Sequence, residues 1–456
     1  ILDSGQDERS LYSDVAGLIR QKGIHRFIGI GRALERQQDL FDAEKHFYPD
    51  TATFLQEFDT TNFKDETVLI KGSRLFEFEK IARRLQQKSH TTVMEINLSA
   101  LAHNLKAYRS LLKPRTRVMA MVKAFSYGSG SFEIANILQF HKADYLAVAY
   151  ADEGVYLREN GISLPILIMN SEERGFHSLI RHELEPELYS FRLLGSFAGW
   201  LQSNFPSISS YPVHLKLDTG MHRLGFEPQD MTGLIEELKK YPQLKVRSVF
   251  SHLAAADMPE HDDFTIRQSN DFMRMCQTLE DSLGYSFIKH LLNSSGITRF
   301  PQFQFDMVRL GLGLYGLDPT SEIQSRLEHV STLKTHISQV KQVPTGESVG
   351  YSREGIAGYP RTIATIGLGY ADGFPRTLGN GTGSVFINGH IAPIVGNICM
   401  DMTMIDITGI DAYEGDEVTV FGKEYPIERM ARDMKTIPYE VLTSVSQRVK
   451  RVYYKE

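Results

Sequence analysis

One lysine stands where a protein chain can turn an amine into a nucleophile. The run Val118–Val122 is apolar and β-prone, Lys123 follows it directly, and the next turn is rich in serine and glycine and contains Tyr127. Burial at a strand end disfavours the charged form of a lysine, so its pKa falls and its amine becomes reactive. This position predicts a lysine that can form a Schiff base, although most lysines at strand ends simply reach solvent.

Strand-like and helical segments alternate from Val118 to about Leu317. Eight candidate strands separated by helices predict a (β/α)8 or TIM barrel, in which chemistry takes place at the carboxyl ends of the strands. The predicted strands are 118–123, 145–150, 166–170, a weak one near 188, 213–217, 246–252, 288–293 and 307–315. The polar residues at or near such ends are Lys123, Lys216, His252, Asn293 and Arg309.

The pattern changes on both sides of the barrel segment. From about Lys334, short β-rich runs follow one another between Gly, Pro and Asn, and no long helix is indicated before Ile427, which predicts an all-β domain. Residues 1 to about 90 alternate short helices and strands, which predicts a small α/β, Rossmann-like domain. The predicted domains are therefore residues 1–89, the barrel at 93–330 and the β domain at 331–456.

Composition excludes several classes of protein. A hydrophobic content of 42% and a charged content of 23% over 456 residues are those of an ordinary globular protein. The net charge of −6 offers no basic surface to nucleic acid, and no apolar run approaches the ~20 residues of a membrane span. Two cysteines exclude a disulfide framework, so a cytoplasmic location is expected. The first residue, Ile1, indicates a processed chain or a piece of a longer one.

Several ordered motifs resemble those of the alanine racemases, which are fold type III enzymes that use pyridoxal 5′-phosphate (PLP). The segment Val118–Gly130 resembles their PLP-lysine motif, and the segment 216–225 resembles Lys-x-Asp-Thr-Gly-Met-x-Arg-x-Gly. The resemblance, from about Val93 to Tyr453, implies a barrel followed by a β domain. It also implies two-base interconversion of L- and D-alanine, which supplies D-alanine for peptidoglycan synthesis. Three positions replace the family's usual glycine, arginine and glutamine, namely His222, Asn397 and Met402.

The resemblance assigns roles around the ring of the cofactor. Lys123 binds PLP and serves as one base, and Arg223 faces the cofactor phenolate and the substrate carboxylate. Lys216, often carbamylated in the family, orients that arginine. His252 packs against the pyridine ring. Arg309 faces the ring nitrogen, where a permanent cation keeps the nitrogen unprotonated and suppresses side reactions such as transamination.

Turns after late barrel strands are the usual phosphate site of this fold. By resemblance, the phosphate contacts two phenols, an asparagine and a serine after one strand, and two backbone N–H groups. The residues concerned are Tyr127, Tyr439, Asn293, Ser294, Gly311 and Leu312. No metal site is predicted.

The second acid/base group is expected in the β domain. Racemisation needs a group on each face of a planar carbon, and the loop 346–351 resembles the one that presents the family's catalytic tyrosine, so Tyr351 complements Lys123. By the family, Tyr370 narrows the entrance and Met400 limits the size of the substrate side chain. Tyr351 and Met400 reach the active site of the partner subunit, which implies a head-to-tail homodimer.

The first domain resembles a different enzyme. The run Val68–Arg74, followed by Glu79, and the start Leu2–Gly5 are similar to the carboxyl-terminal domain of the Mur ligase that adds D-alanyl-D-alanine to the peptidoglycan precursor. The P-loop signature for ATP is absent from the sequence. The resemblance implies a partial, non-catalytic ligase domain in a bifunctional ligase–racemase fusion.

Three alternative functions stay open at this point. A PLP decarboxylase of the same barrel class would carry glutamate at the position of Arg309, which argues against that reading. A racemase of serine or of broader scope depends on the pocket near Met400 and Tyr370. A non-enzymatic, PLP-binding scaffold within a ligase fusion would need Lys123 but not Tyr351.

Overall fold

The computed structural model describes residues 7–58, 63, 66–72, 76–85 and 91–455. The chain divides into two compact units, residues 1–89 and 90–456. Within the described ranges, no helix is both long enough and apolar enough to cross a membrane.

The first unit is a small α/β structure. Its elements are α1 (Glu8–Gln21), β1 (Arg26–Ile30), α2 (Arg32–Arg36), β2 (Glu44–Tyr48), α3 (Thr51–Glu57) and α4 (Phe78–Leu85). Strands β1 and β2 pair in parallel, with Arg26 opposite Glu44. Ile30, Phe54 and Ile81 form the apolar core of the unit.

The apolar, β-branched residues of Thr67–Ile70 predict a further strand in this unit, and this prediction is wrong. Residues 66–72 form no strand, and Val68 and Leu69 are 43% and 84% exposed. An apolar run becomes a strand where a neighbouring strand pairs with it, and none of the described residues pairs with this run, although Ile70 packs against the core of the unit. Residues 2–5 and 73–75, which contribute to the ligase resemblance, lie outside the described ranges.

A closed barrel of eight parallel strands is the centre of the second unit, preceded by β3 (Val93–Asn97) and α5 (Leu98–Arg109). The barrel strands are β4 (Arg117–Met121), β5 (Tyr145–Val148), β6 (Ile166–Ile168), β7 (Glu185–Leu188), β8 (Tyr211–Lys216), β9 (Leu244–Phe250), β10 (Ile288–His290) and β11 (Met307–Leu310). Strand β11 pairs with β4, Met307 opposite Arg117, and closes the ring. The predicted barrel is confirmed, including the weak strand near residue 188.

Helical segments follow the barrel strands. They are α6 (Lys123–Tyr127), α7 (Phe132–Phe140), α8 (Ala151–Glu159), α9 (Phe176–Arg181), α10 (Phe191–Asn204), α11 (Met231–Lys240), α12 (Asp262–Leu283) and α13 (Ser294–Arg299). On α10, the buried residues Leu194, Phe197 and Leu201 recur at helical spacing and join the main core. Packing of such apolar faces against the strands fixes the barrel ends where the polar residues lie.

A mostly antiparallel sheet, a separate antiparallel pair β13–β14 and two helices form the rest of the second unit, which confirms the predicted β domain. Its elements are β12 (Ser331–Val343), β13 (Ser348–Val349), β14 (Gly355–Ile356), β15 (Arg361–Ile366), β16 (Ser384–Ile387), β17 (His390–Pro393), β18 (Thr403–Asp406), β19 (Glu417–Phe421), α14 (Ile427–Asp433), α15 (Pro438–Ser444) and β20 (Lys450–Tyr454). The main strand order is β17-β16-β19-β12-β15-β18. Strand β3, in the range predicted for the barrel, pairs instead with β12 and β20 of this sheet.

Candidate active site

Lys123 begins a turn of unusual backbone at the carboxyl end of β4. The four residues after it, 124–127, have φ between 49° and 55°, in the left-handed region that residues other than glycine rarely occupy. Strain of this kind costs about 1–3 kcal/mol for each residue, and it persists at functional sites where the surroundings enforce it. The predicted strand 118–123 therefore ends earlier, at Met121, and Lys123 lies in the strained turn that follows.

The carboxylate of Glu153 holds this turn in place. Its Oε1 accepts a 2.6 Å hydrogen bond from the N–H of Ala124, and its Oε2 accepts one of 2.6 Å from the N–H of Ala149. Glu153 is the third residue of α8, a position where acidic side chains cap helices. Sequence analysis did not select this positioning residue, although its place in the first turn of a helix is a signal for it.

The surroundings of Lys123 favour its neutral form. Burial lowers the pKa of the amine, and the positive charge of Arg223 lowers it further, while Glu153 and Glu187 act in the opposite direction. A lysine with a lowered pKa is a better nucleophile near neutral pH. The sequence predicts a lowered pKa for a lysine at this strand end, and the surroundings of Lys123 in the structure lower its pKa in the same direction.

Arg309, on β11, is only 3% exposed, and the protein engages two of its three guanidinium nitrogens. Nη1 donates to the carbonyl oxygen and to Nδ1 of His290, at 3.0 Å each. Nη2 donates to the carbonyl oxygens of Ser251 at 2.6 Å and Leu291 at 2.9 Å. Nε has no hydrogen-bond partner among residues 91–455, so one N–H remains for a ligand. Burial lowers the pKa of Arg309 to about 10, which leaves it a cation at neutral pH.

His252 follows β9 and lies beside Arg309. Nη2 of Arg309 is 3.4 Å from Nδ1 of His252. Because an arginine can only donate, Nδ1 is the acceptor and the ring proton is on Nε2. Burial, followed by the charge of Arg309, lowers the pKa of His252 well below its ordinary value. The imidazole is therefore neutral.

The loop after β8 presents Arg223. Oδ1 of Asp218 accepts hydrogen bonds from the three backbone N–H groups of residues 220–222, at 2.8, 3.0 and 3.1 Å. His222 has a φ of 52°, which is the physical reason that glycine suits this position. Arg223 is exposed, and its guanidinium has no hydrogen-bond or ion-pair partner in the described part of the chain. It is free to bind a carboxylate.

Lys216 and Glu187 meet inside the barrel from adjacent strands. Lys216 is 4% exposed and Glu187 1% exposed, and Nζ lies 3.8 Å from Oε1. Nζ also lies 4.5 Å from the centre of the Phe250 ring. Burial lowers the pKa of Lys216 to about 8. Glu187 is not among the predicted site residues, although an acidic residue inside a predicted barrel strand is a signal for it.

The turns after β10 and β11 are joined by Ser294. Its Oγ accepts hydrogen bonds from the N–H groups of Gly311 at 3.0 Å and Gly313 at 3.3 Å. Oδ1 of Asn293 accepts a 2.9 Å bond from a backbone N–H of α13. Asn293 therefore caps a helix and Gly311 already has a partner within the protein, whereas the N–H of Leu312 takes no part in these bonds.

Three tyrosine rings lie beside these turns. The ring of Tyr127 is 4.8 Å from that of Tyr315 and 5.6 Å from that of Tyr439. Tyr315 donates to a backbone carbonyl at 3.2 Å, whereas the hydroxyls of Tyr127 and Tyr439 have no hydrogen-bond partner among residues 91–455. Burial raises the pKa of Tyr439 to about 12 and raises that of Tyr127 strongly, so both are neutral donors. A Cβ at Gly311 would lie 3.0 Å from the Tyr127 hydroxyl. Because residue 311 is a glycine, the space beside the Tyr127 hydroxyl stays open. The free hydroxyls of Tyr127 and Tyr439 could donate hydrogen bonds to an anion there.

Tyr351, Tyr370 and Met400 lie on three loops of the β domain that are bonded to one another. Nδ2 of Asn397 donates to the carbonyl oxygen of Tyr351 at 3.0 Å, and the Tyr370 loop donates two backbone bonds of 3.0 Å to residues 399 and 400. The three side chains are 68%, 42% and 53% exposed. Within residues 91–455, no hydrogen bond or ion pair joins these three side chains to Lys123.

Comparisons with known proteins agree with this architecture. The family model "Alanine racemase, N-terminal domain" matches residues 96–319, and "Alanine racemase, C-terminal domain" matches residues 330–453. Alanine racemase 1 of Oceanobacillus iheyensis is 35% identical over 371 residues, which cover 79% of this chain and 97% of that protein.

Solved structures are similar as well. Alanine racemase of Clostridium difficile 630 superposes with a TM-score of 0.75 at 37% identity, over 80% of this chain and 96% of that one. Alanine racemase of Bartonella henselae with covalently bound pyridoxal phosphate gives a TM-score of 0.73 at 30% identity, over 80% and 99% of the chains.

The parallel barrel has a lysine, a histidine and a buried arginine at its carboxyl end and is joined to a β-sheet domain, and the matched family models and relatives identify a barrel of this kind as an isomerase. The chain belongs to the alanine racemase family. Both family models lie within the second unit and leave residues 1–95 unmatched.

Proposed function

We propose that this chain interconverts L-alanine and D-alanine with PLP as its cofactor, and that Lys123 and Tyr351 are the two acid/base groups. One observation carries the proposal: an amine of lowered pKa lies at the same barrel end as a buried arginine that has one N–H free. Membership of the alanine racemase family supports alanine as the substrate, and the covalently bound PLP of a relative supports the cofactor.

The donor set at the barrel end fits PLP. Lys123 would bind the aldehyde carbon covalently, Arg309 would donate its Nε–H to the ring nitrogen, and neutral His252 would pack against the ring. The space that Gly311 keeps open beside Tyr127 suits the phosphate. Its donors would be a serine hydroxyl, two phenols and one backbone N–H, from Ser294, Tyr127, Tyr439 and Leu312.

Bound PLP supplies an electron-withdrawing ring that acidifies the Cα–H bond of the amino acid. Nζ of Lys123 takes or returns a proton at Cα on one face, and the phenolic oxygen of Tyr351 does so on the other, each contributing roughly 10²–10⁴ in rate. Arg309 stays cationic and offers only N–H donors, so it would favour an unprotonated ring nitrogen in bound PLP. Arg223 binds the substrate carboxylate through paired donors.

A second copy of the chain completes each site in this proposal. Tyr351, Tyr370 and Met400 are exposed on bonded loops of one chain, and exposed tyrosine and methionine side chains favour an interface. In a head-to-tail homodimer, Tyr351 and Met400 of each subunit reach the Lys123 end of the other barrel, and Tyr370 narrows the entrance.

For residues 1–89 we propose an origin in the carboxyl-terminal domain of the D-alanyl-D-alanine-adding Mur ligase. The sequence of Val68–Gly72 and the parallel pair β1–β2 support it. Such a fusion would be bifunctional, act in the cytoplasm and join the source of D-alanine to peptidoglycan synthesis. The coding sequence upstream of Ile1 should then encode a ligase domain with a P-loop, and a start codon directly upstream would contradict it.

Proton exchange tests the proposed activity. L-alanine incubated with the holoenzyme in deuterated water should yield D-alanine that carries deuterium at Cα, as followed by NMR. Lys123→Ala should abolish both the PLP absorbance and the exchange, and Lys106→Ala, at an exposed lysine of α5, should change neither.

Other results would point elsewhere. Exchange without inversion would remove Tyr351 or the dimer from the mechanism. Exchange with serine but not alanine would favour the serine racemase reading, and release of carbon dioxide would favour a decarboxylase. If no substrate exchanges its Cα proton, the result would favour the alternative that the chain is a non-enzymatic, PLP-binding scaffold.

A further inference from the structure

Glu187 is a buried carboxylate without a hydrogen bond. Both of its oxygens lack a hydrogen-bond partner among the residues that the structure describes, although the side chain is only 1% exposed. Leaving a buried charged group without partners costs several kcal/mol unless opposite charges surround it. The surrounding charges must therefore explain how a carboxylate without hydrogen bonds is tolerated inside the barrel.

Cations surround this carboxylate. The nearest is Lys216, whose Nζ is 3.8 Å from Oε1. Burial raises the pKa of Glu187, and the charges of Lys216, Arg309, Arg223 and Lys123, in that order, oppose this rise and favour the ionised form. Three of these four cations, Arg309, Arg223 and Lys123, are assigned to the cofactor or the substrate in the proposed function, so the charge of Glu187 acts on the groups that form the site.

We propose that Glu187 supplies, from within the chain, the negative charge that a carbamylated lysine supplies in the family, and that Lys216 stays unmodified. This inference rests on the proposed racemase function. Glu187 is thus a positioning residue, because it acts through Lys216 and the neighbouring arginines and not on the substrate.

A carbamate on Lys216 would conflict with Glu187 for two reasons. The new carboxylate would be a second buried anion within a few ångströms of the first, and like charges at that distance repel strongly in a low dielectric. Carbamylation also needs the neutral amine. Its nitrogen attacks carbon dioxide, an N–C bond forms, one C–O π bond becomes a carboxylate lone pair, and a proton leaves to water. Burial lowers the pKa of Lys216, and Glu187 opposes this effect and so favours the protonated amine.

Removing the carboxylate of Glu187 should allow a carbamate to form on Lys216. In Glu187→Gln, Lys216 loses its counter-ion, its pKa falls further, and the amide is no longer an anion that repels a carbamate. We expect kcat/KM for alanine to fall about 10²-fold in buffer free of carbon dioxide, because the cations are no longer held in place. Added bicarbonate should raise kcat/KM of Glu187→Gln about tenfold. The kcat/KM of wild type should not respond to bicarbonate.

The test combines kinetics with ¹³C NMR of the PLP-loaded enzyme. Wild type, Glu187→Gln, Glu187→Asp and the double variant Glu187→Gln/Lys216→Met are incubated with ¹³C-bicarbonate. A carbamate resonance is expected in Glu187→Gln alone. Glu187→Asp keeps the charge and should show neither the resonance nor a response to bicarbonate, and the double variant lacks the amine.

Three results would overturn the inference: a Lys216-dependent carbamate resonance in active wild type, full activity of Glu187→Gln without carbon dioxide, or no response of that variant to bicarbonate while it holds PLP. If Glu187→Gln does not fold, the wild-type spectrum alone decides. Failure of the racemase function itself would differ, because wild type would then show no exchange at Cα of alanine.

Discussion

Nη2 of Arg309 lies 3.4 Å from Nδ1 of His252. This contact fixes the imidazole tautomer, because an arginine has donors and no acceptor. Burial, and after it the positive charge of Arg309, lowers the pKa of His252 and keeps the imidazole neutral. The pair therefore presents one permanent cation and one uncharged flat ring at the carboxyl end of the barrel.

Arg309→Lys should lower the stability and the cofactor affinity together. One ammonium cannot replace the bonds to the carbonyls of residues 251, 290 and 291 and still present an N–H to a ligand. A buried acceptor left unpaired costs about 1–3 kcal/mol, so we expect the free energy of unfolding to fall by about 3 kcal/mol. Urea unfolding and PLP titration measure the two effects. Arg267→Lys, at an exposed arginine of α12, is the control. Unaltered PLP affinity in Arg309→Lys would argue against the assigned role.

Tyr351→Phe should slow removal of the L-alanine proton, with the PLP absorbance unchanged. The variant lacks only the phenolic oxygen, and a positioned acid/base group contributes roughly 10²–10⁴ in rate. Single-turnover measurements with L- and D-alanine separate the two directions, and L-alanine should be affected more. Tyr359→Phe changes another exposed tyrosine of the same domain and should have no effect. A Tyr351→Phe enzyme with normal L-alanine turnover would mean that another group is the second base.

Mixing two inactive variants tests whether the sites are shared between subunits. Lys123→Ala retains Tyr351, and Tyr351→Phe retains Lys123, so a hybrid dimer with sites in trans has one intact site. Refolding the two variants together should restore about a quarter of the wild-type activity, since half of the dimers are hybrids. Each variant refolded alone is the control. If both residues of a site come from one chain, mixing restores nothing.

Stability should decrease as the pH falls below about 6.5. Burial, with the charge of Arg309 next, lowers the pKa of both His252 and His290, whereas imidazoles of the unfolded chain protonate near ~6.5. Below that pH the unfolded chain binds more protons than the folded chain, so the free energy of unfolding falls by up to about 1.4 kcal/mol per pH unit for each histidine. Urea unfolding at several pH values should show a shallower decrease for His290→Gln than for wild type. The exposed control His390→Gln should follow wild type, and equal slopes for all three would exclude these histidines as the cause.

Local sequence signals were sufficient to predict the barrel and several of the residues at its active end. Strand-length apolar runs separated by helical periodicity determine a parallel barrel, because each strand must be covered by the helix that follows it. Lys123 and His252 could be chosen from their places after such runs, and Arg309 from its place near the end of one, since the carboxyl ends of all strands meet at one end of the barrel. The same local reasoning failed at Thr67–Ile70, where an apolar run has no sheet to join.

Other features depend on residues distant in the chain, and only the tertiary structure decided them. The left-handed turn after Lys123 is held by Glu153, which accepts a hydrogen bond from the N–H of Ala124 although it lies 29 residues further along the chain. Asn293 proved to cap a helix, and β3 joins the sheet of the β domain through β12 and β20. The pairing of Glu187 with Lys216 arises where two strands lie side by side. The sequence by itself determined the residue types and the repeating pattern of elements. The partners of each charged group were decided by packing, because they come from different strands and turns that only the closed barrel brings within a few ångströms.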